Sequence, residues 1–143
     1  MRVKIVNKSR FPNPEYAHPS DSGMDLRANI DEPFIFYSGT TTIVPTGIFV
    51  KLPDNLEFQI RSRSGLAAKH NIFVVNSPGT IDSGYTGEIK VILRYLGPGL
   101  PITIDPGDKI AQMVLCPVIK CDWVPVNHLE ETDRNENGFG STG

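Results

Sequence analysis

Cys116 and Cys121 are the two cysteines of the 143-residue chain. That is too few for a disulfide framework, and no histidine or further cysteine flanks them at zinc-ligand spacing. Both are expected to be reduced packing residues, which fits a cytoplasmic setting, or a nuclear one if the source is eukaryotic or viral. No apolar run approaches the roughly 20 residues that a membrane-spanning helix needs. The opening Met1-Arg2-Val3-Lys4-Ile5-Val6 lacks the hydrophobic region of a signal peptide. Neither a membrane protein nor a secreted precursor is expected. Positive charge is not in excess either: 14 Lys and Arg stand against 16 Asp and Glu, a net charge of −2, so a basic stripe for nucleic acid is not expected. The sequence has no P-loop, no dinucleotide-binding glycine fingerprint, no His-Glu-x-x-His and no Gly-x-Ser-x-Gly. His18, His70 and His128 are scattered without a shared pattern, and no protein-bound transition metal is expected.

Long runs of helix formers are also missing, whereas Gly and Pro number 13 and 12. What is present is strand. Arg2–Val6, Glu57–Arg61 and Leu100–Ile104 alternate with period 2, and β-branched or aromatic runs lie at Thr41–Leu52, Ile72–Val75, Glu88–Leu96 and Lys109–Ile119. Turn residues separate them, as in Pro53-Asp54-Asn55, Gly97-Pro98-Gly99 and Asp105-Pro106-Gly107-Asp108. Ser64–His70 alone reads as a short helix. The expected fold is therefore all-β: a sandwich, a jelly roll or a small barrel. Residues 1–129 would form the body. Residues 130–143 are polar, aperiodic and have one aromatic, Phe139, and are expected to form a mobile arm.

Four polar clusters lie beside these strands. Ser20–Ala28 has Asp21 and Asp25 around Gly23, a pattern that ordinarily makes an Asx-type turn. Arg61–Leu66 joins a strand to the helix; Arg63 offers a fork of donors, Ser64 a hydroxyl and the helix start free N–H groups, which suits either an anion or a plain helix cap. Asn76–Val91 reads as a glycine-rich hairpin in which Asp82 is the central carboxylate, a candidate general base, and Tyr85 an aromatic shelf. The arm carries Arg134 ahead of Phe139, and so could fold over a phosphorylated ligand or simply fray. Together these features are what a nucleotide hydrolase without a P-loop needs, with Arg63, Lys90, Arg134 and Mg²⁺ to neutralise the phosphates.

In this order and spacing, five stretches resemble the motifs of the trimeric dUTPases: Gly23–Ala28, Arg63–Ala67, Gly79–Ile89, Gly107–Met113 and Gly138–Gly143. The resemblance implies a jelly-roll-like distorted β-barrel with one short helix, a homotrimer with active sites shared between subunits, and hydrolysis of dUTP to dUMP and pyrophosphate. That reaction limits uracil in DNA and supplies dUMP for thymidylate synthesis. It further implies that Asp82 activates the attacking water and that Tyr85 packs on the deoxyribose. Asn76, Thr80 and Ile81 would read uracil, and Arg63, Ser64, Gly65, Gln112 and Lys90 would contact the nucleotide, chiefly its phosphates. Asp25 would touch the Mg²⁺ through water. Arg134 would clamp phosphate, with Phe139 and Gly140 closing over the base. The departures are Asn135 and Asn137 where the family has glycines, Thr86 after the tyrosine, Met24 in the first motif and Ser62 before Arg63; none removes a reacting group. The competing readings are a dCTP deaminase of the same fold and a nucleotide-dependent binder of a regulatory partner protein.

Overall fold

The computed structural model describes residues 1–138. Ten strands run β1 (Lys4–Asn7), β2 (Gly23–Arg27), β3 (Phe34–Phe36), β4 (Thr41–Lys51), β5 (Leu56–Arg61), β6 (Ile72–Val74), β7 (Gly79–Asp82), β8 (Glu88–Tyr95), β9 (Ile102–Ile104) and β10 (Lys109–Pro117), and the helix α1 spans Ser64–His70. One four-stranded sheet has the order β1-β4-β8-β6, a second β2-β10-β5-β7, and β3 pairs with β9 in a third of two strands. Every pairing is antiparallel. The all-β expectation is borne out.

Period-2 alternation turns one face of each sheet inward. Val44, Val74, Val91 and Leu93 of the first sheet meet Leu26, Phe58, Ile60 and Met113 of the second in one cluster, closed at the side by Phe36 and Ile104. At roughly 1.5–3 kcal/mol for each fully buried side chain, this core is the main source of stability. In β4, Pro45 and Gly47 would weaken a regular strand, yet they sit where the register with β8 shifts between Pro45 and Phe49. Gly47 has φ +70 with Ser9 and Asn29 packed against it, so no other residue suits the bulge.

The helix ends where its sequence stops favouring it. Asn71 takes the left-handed conformation, φ 53, and its N–H caps the carbonyls of Ala67 and Leu66. Lys69 and His70 lie in the last turn, at the negative end of the helix.

Two expectations are corrected. Gly23–Arg27 is not an Asx turn but a strand of the second sheet. The turn lies earlier, where the His18 N–H donates to Asp21 Oδ2 and the Asp21 N–H to the His18 carbonyl. Asn76–Val91 is not a hairpin: β7 pairs with β5 in the second sheet, and β8 pairs with β4 and β6 in the first. The glycine-rich stretch between them is a crossing from one sheet to the other. Beyond Pro117 the described chain has no strand or helix.

Candidate active site

The second sheet aligns Asp25, Gln112 and Arg61 side by side, since Gln112 of β10 faces Asp25 on β2 and Arg61 on β5. Facing residues of neighbouring strands share a side of the sheet, so all three project outward from the core. Two residues on, Arg63 folds back over the row. Its Nε donates to Asp25 Oδ1 at 2.8 Å and its Nη1 to the Lys109 carbonyl at 3.1 Å. Lys109 Nζ lies 2.8 Å from the other carboxylate oxygen of Asp25. Burial pushes the Asp25 carboxyl up, but the hydrogen bond from Lys109 and the charge of Arg63 outweigh it and hold it below the usual carboxylate value.

Gln112 is fixed by a hydrogen bond from Nε2 to the Ser62 carbonyl, 3.0 Å. Its carboxamide lies over Gly23, where a Cβ would overlap it. These groups line a cleft of about 350 Å³, together with Ser64 and Gly65 at the start of α1 and Asp21 and Ser22 ahead of β2. Arg63 is extended at φ −87 and ψ 127, caps the helix with no side-chain hydrogen bond, and is followed by a first turn free of acidic residues. Ser64 and Gly65, the first two residues of this seven-residue helix, line the cleft, and the first N–H groups of a helix have no partner within it. Guanidinium, carboxamide and hydroxyl donors converge on this cleft beside the carboxylates of Glu15, Asp21 and Asp25, a donor set that suits an anion such as phosphate or a phosphate-bound cation.

The other expected residues are elsewhere. Asp82 is exposed at the end of β7 and pairs in register with Glu57, four residues along β5 from Arg61. At about 3.3 Å per residue that places it roughly 13 Å along the sheet from the Arg61 row. Asn76 packs its side chain against Gly79. Thr80 is exposed and Ile81 half-buried on the same strand. Tyr85 covers Gly87 and donates its hydroxyl to the Glu88 carbonyl at 2.9 Å. Its N–H donates to the Asp82 carbonyl at 3.0 Å, closing the turn that follows β7. Lys90 is on β8, in the first sheet, with Glu88 Oε2 3.9 Å from its ammonium. A single chain thus gathers Asp25, Arg63, Ser64, Gly65 and Gln112, and holds Asn76, Thr80, Ile81, Asp82, Tyr85 and Lys90 apart from them.

In the arm, Arg134 Nε donates to the Asn137 carbonyl at 3.0 Å and the Asn137 N–H to the Arg134 carbonyl at 2.9 Å. Asn135 adopts φ 41, and its side-chain oxygen accepts from the Thr132 N–H while the Thr132 hydroxyl accepts from the Asn135 N–H. Phe139 and Gly140 lie outside the described residues.

Sequence reasoning named Lys109 only as part of a motif and gave Gly23 no function of its own. Both depend on the pairing of β2 with β10, which no local pattern encodes. The one available signal was that the two acquire partners only if their motifs are adjacent strands.

Among comparisons with known proteins, the dUTPase family model matches residues 9–143. A deoxyuridine 5'-triphosphate nucleotidohydrolase of Anaplasma marginale (strain St. Maries) is 47% identical over 146 residues, covering 100% of this chain and 99% of the relative. The corresponding protein of Gloeothece citriformis (strain PCC 7424) is 52% identical over 144 residues, covering 100% and 97%. The fold matches a variant of the Staphylococcus bacteriophage 80alpha dUTPase with a TM-score of 0.86 at 22% identity, over 99% of this chain and 98% of that one. A variant of the phage phi11 dUTPase, described as coordinating a structural Mg(II) ion, matches with a TM-score of 0.79 at 21% identity over 92% of this chain and 100% of that one. Matched along nearly its whole length, the chain belongs to the dUTPase family, the enzymes that hydrolyse dUTP.

Proposed function

We propose that the chain hydrolyses dUTP to dUMP and pyrophosphate at sites completed by a second copy of itself, in a homotrimer. The observation that carries this reading is the separation of the two residue groups. The phosphate-suited cleft holds no residue of the Asp82 strand, and Asp82 stands exposed at the end of β7, where the nearby Lys51 ammonium donates to the Ser83 carbonyl at 2.9 Å. A neighbouring copy that brings its β7 end to this cleft joins base and phosphate donors. The exposed Ile119, Trp123, Val124 and Leu129 add to this reading, since such a row of large apolar side chains ordinarily seeks a partner surface.

In the joined site a uracil nucleotide lies along the Asn76–Asp82 backbone, with Thr80 and Ile81 beside the base and Tyr85 against the deoxyribose. Its phosphates reach Arg63, Ser64, Gly65 and Gln112, with Lys90 and the arm residues Arg134, Phe139 and Gly140 closing the nucleotide in. Asp82 accepts a proton from water as the water oxygen bonds to the α-phosphorus. The bond from that phosphorus to the oxygen bridging to the β-phosphorus breaks, and the electron pair leaves with pyrophosphate. Arg63 and the helix-start N–H groups meet the charge that grows on that leaving group.

Among the described residues no group of three or more His, Cys, Asp or Glu is placed to hold a metal ion directly, and both Asp25 oxygens are taken by cations. This donor set fits a magnesium ion carried by the nucleotide phosphates, with Asp25 in reach through water. When bound, it supplies neutralisation of phosphate charge. No helix of the described residues is long and apolar enough to cross a membrane, and Cys116 and Cys121 are free thiols, in keeping with a cytoplasmic enzyme. The division into a body, 1–129, and a closing arm, 130–143, belongs to the same reading, as do the supply of dUMP and the restriction of uracil in DNA. Nothing among the described residues favours a deaminase or a purely partner-binding role.

Pyrophosphate release with Mg²⁺ is to be measured from dUTP, dCTP, dTTP and UTP in parallel. Release from dUTP alone is expected; release from dCTP or UTP at a similar rate would overturn the base and sugar reading. For the shared site, inactive Asp82→Asn and Arg63→Ala chains are mixed, unfolded and reassembled. Random closed assembly puts an intact Asp82 beside an intact Arg63 at about a quarter of the sites, and about that fraction of activity is expected. No recovery would place the whole site in one chain.

A further inference from the structure

We infer that Lys109 is a positioning residue for the phosphate end of the site: it grips Asp25 from behind the cleft and keeps the Arg63 guanidinium both oriented and electrostatically free to meet phosphate. The inference rests on the reading of the cleft as the phosphate site.

The backbone goes out of its way to place this lysine. In an unbroken strand, Lys109 would share a side with Ala111 and Met113, which are 0% and 2% exposed in the core. The pairing of β10 with β2 slips instead: Lys109 faces Arg27 while Ala111 faces Leu26, with Ile110 as the extra residue. Ile110 and Ala111 therefore both point inward, 1% and 0% exposed, and Lys109 comes out on the side of Asp25 and Gln112. Re-aiming a side chain beside a site is a recurrent use of a β-bulge.

Lys109 does not line the cleft itself. It lines two adjoining hollows with Arg27, one shared with Asp25 and the other with Arg63, and acts on the cleft through those two partners. It supplies two of the contacts around Arg63. Its ammonium holds Asp25 Oδ2 at 2.8 Å, and Asp25 Oδ1 holds Arg63 Nε at 2.8 Å. Its carbonyl holds Arg63 Nη1 at 3.1 Å. Arg63 Nη2 is engaged by no partner among the described residues.

The charges give the second half of the argument. Asp25 beside Arg63 alone would cancel the charge of the guanidinium that is to meet phosphate. With Lys109 the trio has two cations to one carboxylate, a net single positive charge. Arg61, Glu15 and Asp21 line the same cleft, so removing the Lys109 ammonium while keeping its backbone carbonyl takes one positive charge from an already balanced set without deleting any group that touches the nucleotide.

The test is pyrophosphate and deoxyuridine binding by titration calorimetry, with Mg²⁺ present, to wild type, Lys109→Met and Lys109→Arg, beside KM and kcat for dUTP. Lys109→Met should weaken pyrophosphate binding and raise KM by roughly tenfold, the size of one charge-assisted contact. Deoxyuridine binding should stay unchanged, and Lys109→Arg should restore most of the loss. Lys109→Gln serves as a second neutral variant if Lys109→Met fails to fold. Equal pyrophosphate affinity in wild type and the neutral variant would overturn the positioning role alone, and so would a parallel loss of deoxyuridine binding that Lys109→Arg does not restore. A wild type that binds no pyrophosphate would overturn the phosphate reading of the cleft and the role with it.

Discussion

The two halves of the proposed site are built in opposite ways. At the phosphate half, side chains from β2, β10 and the β5–α1 junction hold one another: Arg63 and Lys109 on Asp25, Gln112 on the Ser62 carbonyl. At the Asp82 half, Tyr85 is tied to the Glu88 carbonyl, while Asp82 and Thr80 are exposed on an edge strand. One half is organised before any ligand arrives; the other presents its reacting group outward. Preorganised donors need no rearrangement when charge develops in the transition state, so they belong in one rigid body. A base shared between two copies, as proposed for Asp82, has to stand at a free edge, and Asp82 is exposed on one.

The largest effect should come from breaking the exposed half. A positioned base is worth roughly 10²–10⁴ in rate, so Asp82→Asn is expected to lose about that much kcat with KM nearly unchanged. Near-normal turnover in this variant would remove Asp82 from the chemistry. Next in size is the arm, the third contributor. Truncation after Glu131 removes Arg134 and should cost about 10²-fold in kcat/KM through lost positioning, while size-exclusion chromatography shows the assembly unchanged. Full activity of the truncated chain would exclude the arm.

The organised half should answer to pH instead. Asp25 titrates below its ordinary 3.8 in the folded chain, so its contribution to stability is complete above that value and is lost as pH falls through the lowered one. Urea midpoints of wild type and Asp25→Asn should therefore differ at pH 7 and draw together only as pH falls below 3.8. A gap that stays constant over that range would mean the Lys109 and Arg63 pairs do not stabilise the fold.

Much of the fold was legible because long strands carry their own signal. The β-branched runs of β4, β8 and β10 stand out in the sequence, and α1 was visible from its helix formers up to Asn71. Gly23–Arg27 was not, since Leu26 is its one buried residue and Asp25 and Arg27 face outward. The supposed hairpin failed for a different reason. Two strand-like runs around a glycine-rich stretch look like partners, but pairing is a tertiary choice, and β7 and β8 each pair within a different sheet. The residue types of the site could be read from the sequence, whereas their division into two groups could not, because register, the bulge at Ile110 and the crossing between sheets decide it.

The smallest expected effect concerns Asn135, where the dUTPase pattern has glycine. At φ 41 an L side chain costs about 1–2 kcal/mol, less for asparagine, and glycine would relieve that. Glycine would also free the open arm, at roughly 0.4–1 kcal/mol, and would lose the bond that the Asn135 side chain accepts from the Thr132 N–H, about 0.5–1.5 kcal/mol. The terms oppose each other and nearly cancel, so Asn135→Gly should lower kcat/KM by no more than about fivefold. Asn135→Ala keeps the strain and loses the bond, and should fall further. The order Asn, Gly, Ala in kcat/KM would show that the arm closes from the turn described here. An alanine variant as active as wild type would mean that this turn is absent when the arm is closed, and that the arm must rebuild itself over the nucleotide.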